Sequence, residues 1–421
     1  MNMAGGLLCL LIVATTYDPG EAGRIYTILS LAGAVMFFEL GLPTLVLQRM
    51  SLLTRATHWS PQDLVGNTVL IAPLFNHYLS LVLVQSFMLL IILLPAGLWI
   101  IIKAFGMSLM SLGSWSWIFA CLAMVVSLPA TLLLNTLEGL GHIKVVAKVR
   151  VVQALVSLVS LNLALYFKNG FPSIAIQLIC SLIAIWSAIL IFEFKFTKSL
   201  FSMISLKLIS GRVALDWRLQ WRLILNFLSG YFSNQAWVVM IALTGAVALA
   251  GRVAMTLQAL TALVAFSLTP LAAKFSLLSA LAHKDKHRDY MDLVKSLCNH
   301  TIIVFVVISC ISMLLYFFGS NSFIDFQTKF LQFGPLFTFG LSAPLILILN
   351  GMTILNQSLG WDDLYIVSIL RIAAPLICLF FFGEAISEWT FAIGYVCIAA
   401  LAVVLGMGFH RRSHFRIFYE N

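Results

Sequence analysis

The chain has 421 residues, of which 61% are hydrophobic and only 10% charged, with a formal net charge of +9. Soluble domains carry about 25% charged residues, so there is too little charge here to solvate the surface of a soluble protein of this length. Soluble enzymes, disulfide scaffolds and disordered regulators are excluded. The fold class implied is an all-α polytopic membrane protein. The basic excess does not point to nucleic acid, because the basic residues punctuate apolar runs and form no patch.

A helix crosses the hydrocarbon core in about 20 apolar residues. On that template the chain predicts spans at 3–16, 24–48, 78–102, 113–135, 150–167 and 171–193. After a more polar stretch come 223–245, 247–271, 300–319, 334–356, 364–383 and 389–409. This predicts about twelve transmembrane helices in two six-helix lobes around a central cavity. The N-terminal lobe is 1–193, a cytoplasmic and interfacial linker is 194–222, and the C-terminal lobe is 223–421 with a basic cytoplasmic tail. The first span is short. Either it continues upstream of the assigned start, or a thin segment is tolerated inside a bundle. Residues 1–16 lack a basic n-region, so they do not read as a cleavable signal peptide.

Nineteen of the 25 Lys and Arg residues fall on one side of this layout and only four, Arg24, Lys103, Lys168 and Lys329, on the other. The positive-inside bias then puts both termini in the cytoplasm. Within the linker, Asp216-Trp217-Arg218-Leu219-Gln220-Trp221-Arg222 reads as an interfacial helix. The stretch 283–295, opening His283-Lys284-Asp285-Lys286-His287-Arg288-Asp289, reads as a solvated cytoplasmic segment.

The two groups of six resemble each other. Ala22-Gly23-Arg24 opens the second span and Ala250-Gly251-Arg252 the eighth, an offset of 228 residues. In that register Leu29 matches Leu257, Ala34 matches Ala262 and Phe38 matches Phe266. Leu140-Gly141 before Arg150 has a counterpart in Leu359-Gly360 before Arg371. A parallel six-plus-six repeat is the expectation.

Polar residues inside the spans are the candidate site, since a charge at the bilayer centre costs on the order of 3 kcal/mol. Glu39 either lines a water-filled cavity, binding a cation or a sugar hydroxyl, or is a structural carboxyl. Arg24 and Arg252 either bind an anion at the outer mouth or snorkel to the interface. Arg371, which echoes Arg150, either reaches substrate or caps and snorkels. Asn234 and Gln258 are candidate sugar contacts, with interhelical hydrogen bonding the alternative. Pro43, Pro95, Pro129, Pro270, Pro344 and Pro375 lie inside predicted spans and predict kinks. The seven cysteines read as small packing residues, and no metal set, Walker loop or catalytic motif is found. No enzyme activity and no metal are expected, and any driving force comes from outside the chain.

Asp18-Pro19-Gly20-Glu21-Ala22-Gly23-Arg24-Ile25-Tyr26 resembles the P-x-E-x-G-x-Y signature of Wzx-type polysaccharide flippases. Glu39-Leu40-Gly41-Leu42 and Gln48-Arg49-Met50-Ser51 are similar to that family's E/D-L-G-L and Q-x-x-S elements. Ser229-Gly230-Tyr231-Phe232, Gly245 and Ala250-Gly251 extend the likeness into the second half. Arg24 departs from the family's usual apolar or aromatic residue, and the first helix looks truncated.

The resemblance implies the multidrug/oligosaccharidyl-lipid/polysaccharide exporter fold in the bacterial inner membrane. It implies translocation of undecaprenyl-pyrophosphate-linked oligosaccharide repeat units by alternating access, in cell-surface polysaccharide biosynthesis. The expected partners are the lipid-linked oligosaccharide, membrane lipids, and a polysaccharide polymerase with its glycosyltransferases. No cofactor is expected; coupling is to membrane potential, a proton or a sodium ion. A membrane-embedded glycosyltransferase or polymerase, and a drug/cation antiporter of the same superfamily, are the alternatives.

Overall fold

The structure is a computed structural model that describes residues 3–39, 41–43, 45–47, 49–50, 68–167, 170–202, 221, 224–225, 228–274, 278, 281, 287–319, 330–358, 365–382 and 387–419. The interfacial stretch 216–222, apart from Trp221, lies outside these residues. So do 283–286, Leu40, Gln48, Ser51 and Leu359-Gly360.

The described residues form helices and no strands. The first half holds α1 (Met3–Thr16), α2 (Pro19–Gly33), α3 (Val35–Glu39), α4 (Thr68–Phe105), α5 (Leu112–Gly139), α6 (Ile143–Tyr166) and α7 (Gly170–Ser202). A π-turn at Phe232–Ala236 leads into α8 (Trp237–Leu243), followed by α9 (Val247–Ser267), α10 (Thr269–Ala273) and α11 (His287–Gly319). The last four are α12 (Phe333–Gly340), α13 (Ser342–Ser358), α14 (Tyr365–Phe382) and α15 (Glu388–Tyr419). Among the described residues nine helical segments are long and apolar enough to cross a membrane, and 365–378 is a shorter apolar one. The protein is a polytopic all-α membrane protein.

Its apolar surface shows the same thing. On α4, Leu83, Val84, Phe87, Met88, Ile91 and Ile92 are exposed. They recur at the three- and four-residue spacing of one helix face. Phe75, Tyr78, Val82, Gln85 and Leu89 are buried on the other. A soluble helix has the reverse arrangement, with polar residues outward. Here the outward face is suited to lipid.

Two compact units divide the described chain: 3–27 with 228–421, and 28–227. In the second, α4, α5, α6 and α7 pack together and α3 lies against α4. Pro129 in α5 removes the N–H that would bond the Val125 carbonyl, and the Ser86 hydroxyl of α4 donates to that oxygen at 3.5 Å. A freed carbonyl at membrane depth is thus met by a neighbouring helix. In the first unit α9 packs on α1, α8, α11 and α13, and α15 on α12, α13 and α14. Its last helix starts with a reciprocal cap. Ser387 N–H donates to Thr390 Oγ1 at 2.7 Å, and Thr390 N–H to Ser387 Oγ at 3.2 Å. Each satisfies a donor that has no partner within the helix.

Helix limits depart from the predicted spans. Predicted 78–102 is part of a helix over 68–105, and predicted 300–319 starts at His287. α11 runs back from the apolar span through the charged residues 288–295, and α4 through the apolar stretch 69–75 and across Asn76-His77. Spans 24–48 and 247–271 are interrupted. The chain turns at Gly41, whose φ of 70° favours glycine, two residues before Pro43. It turns again at Leu268, two residues before Pro270. A proline lacks the N–H that would continue the helix and crowds the turn before it. The span predicted at 334–356 likewise breaks at Leu341, ahead of Pro344.

Candidate functional site

The first group of candidate residues gathers where α2 crosses α9. Gly23 and Gly251 face each other at this crossing. A Cβ on Gly251 would fall 2.7 Å from the Gly23 nitrogen, and one on Gly23 would overlap the Val247 carbonyl. Only glycine lets the two backbones approach this closely, as at other small-residue helix crossings in membranes. Arg24 and Arg252 each follow their glycine directly.

Their surroundings differ. Arg24 is exposed. Arg252 is partly buried, and its Nη1 meets Glu388 Oε1 at 2.6 Å. The other oxygen of Glu388 accepts the Gln332 backbone N–H at 2.8 Å. One carboxylate at the start of α15 therefore holds both the arginine and the start of α12. Arg252 Nε is buried without a hydrogen-bond partner. Glu388 escaped sequence analysis because it sits at the lip of a span, where an acidic residue looks like an ordinary boundary.

Two of the other candidates lie in the same unit. Asn234 lies within the π-turn and donates from Nδ2 to the Gly230 carbonyl at 3.0 Å. Gln258, two turns beyond Arg252 on α9, has its Oε1 buried without a partner, as does Gln235 in the π-turn.

Glu39 ends α3 and borders a cavity of about 20 Å³ in the unit 28–227. Gln85 of α4 and Thr131 and Asn135 of α5 line it too. Neither the Glu39 nor the Gln85 side chain has a hydrogen bond to a described residue. Thr131 donates to the Ser127 carbonyl at 3.1 Å, leaving its oxygen able to accept. Asn135 Oδ1 accepts from Arg150 Nη2 at 3.3 Å, and the same nitrogen meets Glu138 Oε2 at 2.6 Å. Asn135 Nδ2 is buried and unpartnered. A carboxylate with amide and hydroxyl oxygens beside it can take a proton or a small hard cation. The space has room for a water or a small ion. Gln85, a lone amide in the apolar run 78–102, was the available sequence signal for this cluster.

Arg371 of α14 lies in the other unit. Its Nε donates to Ser233 Oγ of the π-turn at 2.7 Å. It borders a second cavity of about 20 Å³ with Ser233, Trp237, Pro375 and Tyr395. Trp237 meets Phe391 edge-on and Tyr395 meets it at a tilt, in an aromatic cluster where Phe339 stacks on Phe391. The π-turn adds one residue to the helix and redirects the side chains that follow it. Hydropathy does not reveal such a turn.

Among the described residues no group of three or more His, Cys, Asp and Glu side chains is placed to hold a metal ion.

No protein-family model matches the chain, and no curated protein matches it in sequence. Its fold does have counterparts. One is an inward-facing multidrug resistance MATE family transporter of the MOP superfamily, with TM-score 0.64 and 14% identity over 99% of this chain and 95% of that one. Another is a MATE protein in complex with MaD3S, with TM-score 0.51 and 15% identity over 97% of this chain and 98% of the other. At such identities the likeness is one of fold: the chain has the fold of the MATE transporters of the MOP superfamily.

Proposed function

We propose that the protein translocates lipid-linked oligosaccharide, carried on a polyprenyl pyrophosphate, across the bacterial inner membrane by alternating access. The observation that carries this reading is the α2–α9 crossing. The segment 18–26, which resembles the polysaccharide flippases, meets its repeat counterpart there, and one arginine follows each glycine. Guanidinium groups suit a pyrophosphate. Arg24 is the exposed member of the pair, and Arg252 is held in place by Glu388.

A sugar head group cannot cross hydrocarbon unaided, because each hydroxyl or charge loses its water partners there. The protein supplies those partners while the apolar tail stays in lipid. Asn234 and Gln258 contribute amides to the head group. An inside-negative potential drives an anion outward by about 2.3 kcal/mol per charge per 100 mV. In this reading both termini face the cytoplasm, and the polymerase and glycosyltransferases of polysaccharide synthesis are the working partners.

Two observations favour a second reading, that of a cation-coupled drug antiporter. The likeness in fold is to multidrug transporters, and Glu39 faces an ion-sized cavity. In the flippase reading the same carboxyl couples export to a proton or sodium ion. Deleting the gene separates the two. The flippase reading expects lipid-linked oligosaccharide to accumulate on the cytoplasmic leaflet, with unchanged sensitivity to cationic drugs. Normal oligosaccharide distribution with heightened drug sensitivity contradicts it.

A further inference from the structure

We propose that the cavity beside Arg371 is a binding site for a small monovalent anion of chloride or bromide size. It is independent of whichever substrate the chain moves. The argument begins with a charge that has no counter-charge. A guanidinium remains protonated under all protein conditions. Arg371 lies in the middle of the apolar helix α14, where an isolated charge is costly. No described carboxylate pairs with it; its hydrogen bond is to Ser233 Oγ, a neutral group.

The polar side chains on the cavity wall all have a donor to offer. Ser233 Oγ accepts from Arg371 Nε at 2.7 Å and keeps its own O–H for another acceptor. Trp237 and Tyr395 line the same space, and neither the indole N–H nor the phenol O–H is bonded to a described residue. The remaining guanidinium nitrogens are likewise without a described partner. A fixed positive charge surrounded by N–H and O–H donors asks for an acceptor carrying negative charge.

Charge then selects the ligand. The space of about 20 Å³ has room for a monatomic ion. One guanidinium neutralises one negative charge, so phosphate, sulfate or the pyrophosphate of a lipid carrier would bring uncompensated charge into these apolar surroundings. The walls, which include Ile346, Leu349 and Pro375, favour anions that shed water easily. Bromide should therefore bind at least as well as chloride, and fluoride more weakly. Bound there, the anion would join the π-turn, α14 and α15 through Ser233, Arg371 and Tyr395, so occupancy should stabilise this unit.

The test is thermal unfolding of the purified, detergent-solubilised protein at constant ionic strength. Gluconate, a bulky and strongly hydrated anion, is replaced stepwise by chloride or by bromide. A midpoint that rises by several degrees and saturates is expected, since a ligand bound only by the folded state stabilises it. Tyr395→Phe removes one donor and keeps the ring; it should weaken the apparent halide affinity by about tenfold. Arg371→Gln should abolish the halide response. Bromide quenching of tryptophan fluorescence, compared between the wild type and Trp237→Phe, reads occupancy even if Arg371→Gln does not fold. A midpoint indifferent to halide, or a Tyr395→Phe variant with unchanged halide affinity, overturns the proposal.

Discussion

Gly23 and Gly251, 228 positions apart, touch backbone to backbone, so that a Cβ on Gly251 would lie 2.7 Å from the Gly23 nitrogen. The contact joins the two Ala-Gly-Arg segments, 22–24 and 250–252. It also explains why a small residue precedes each of the two arginines: a side chain there would push the helices and their charges apart.

Enlarging this contact should be destabilising. Gly251→Leu is expected to cost about 1–3 kcal/mol, the range for forcing extra volume into a filled site, and to lower the thermal midpoint of the purified protein. Gly20→Ala is the control on the partner helix α2, because a Cβ there meets nothing within 4 Å. Its midpoint should equal or slightly exceed that of the wild type. Equal behaviour of the two variants would contradict the close crossing.

The Arg252–Glu388 pair makes a charge-specific prediction. Glu388→Gln weakens a 2.6 Å ion pair and leaves a partly buried guanidinium without its counter-charge, for a loss of about 2 kcal/mol. Arg252→Gln in the same background should recover part of that loss, since it removes the stranded charge. A double variant whose loss equals the sum of the two single ones would show that the groups are uncoupled.

Glu39→Gln keeps the shape of the side chain and removes its charge. Export by this variant is expected to fall about tenfold and to lose its dependence on a proton or sodium gradient, with normal protein levels. Retained gradient dependence would remove Glu39 from coupling.

The cap at the start of α15 gives a prediction unconnected with transport. Ser387→Ala removes the acceptor for Thr390 N–H and should cost about 1 kcal/mol, while Ser387→Asp, which retains an acceptor, should cost less. Thermal unfolding of the three proteins checks the order.

What could be read from the sequence divides along physical lines. The lipid-facing character of α4 follows from its apolar run, and the start of α9 from its likeness to α2. Pro43 and Pro270 marked real interruptions, because a missing N–H acts on the backbone next to it. Side-chain partners were a different matter. Arg371 stood out as a charge in an apolar helix, yet Ser233 is 138 positions away, and their meeting depends on how two helices are rotated. Glu39 was visible for the same reason as Arg371. Its neighbours Thr131 and Asn135 were hidden, because hydroxyls and amides are ordinary in membrane helices and only packing tells which face a cavity. The limits of α4 and α11 were missed because hydropathy reports the membrane's thickness and not the helix's length.

The most direct measurement is transport itself. The purified protein is reconstituted into vesicles containing fluorescent, polyprenyl-pyrophosphate-linked oligosaccharide, and an added glycosidase reports the fraction exposed on the outer leaflet. The account predicts that the protein moves lipid-linked sugar between leaflets, and that Arg24→Ala and Arg252→Ala slow this movement. Equal exposure with and without the protein, under both an imposed potential and proton or sodium gradients, would contradict it.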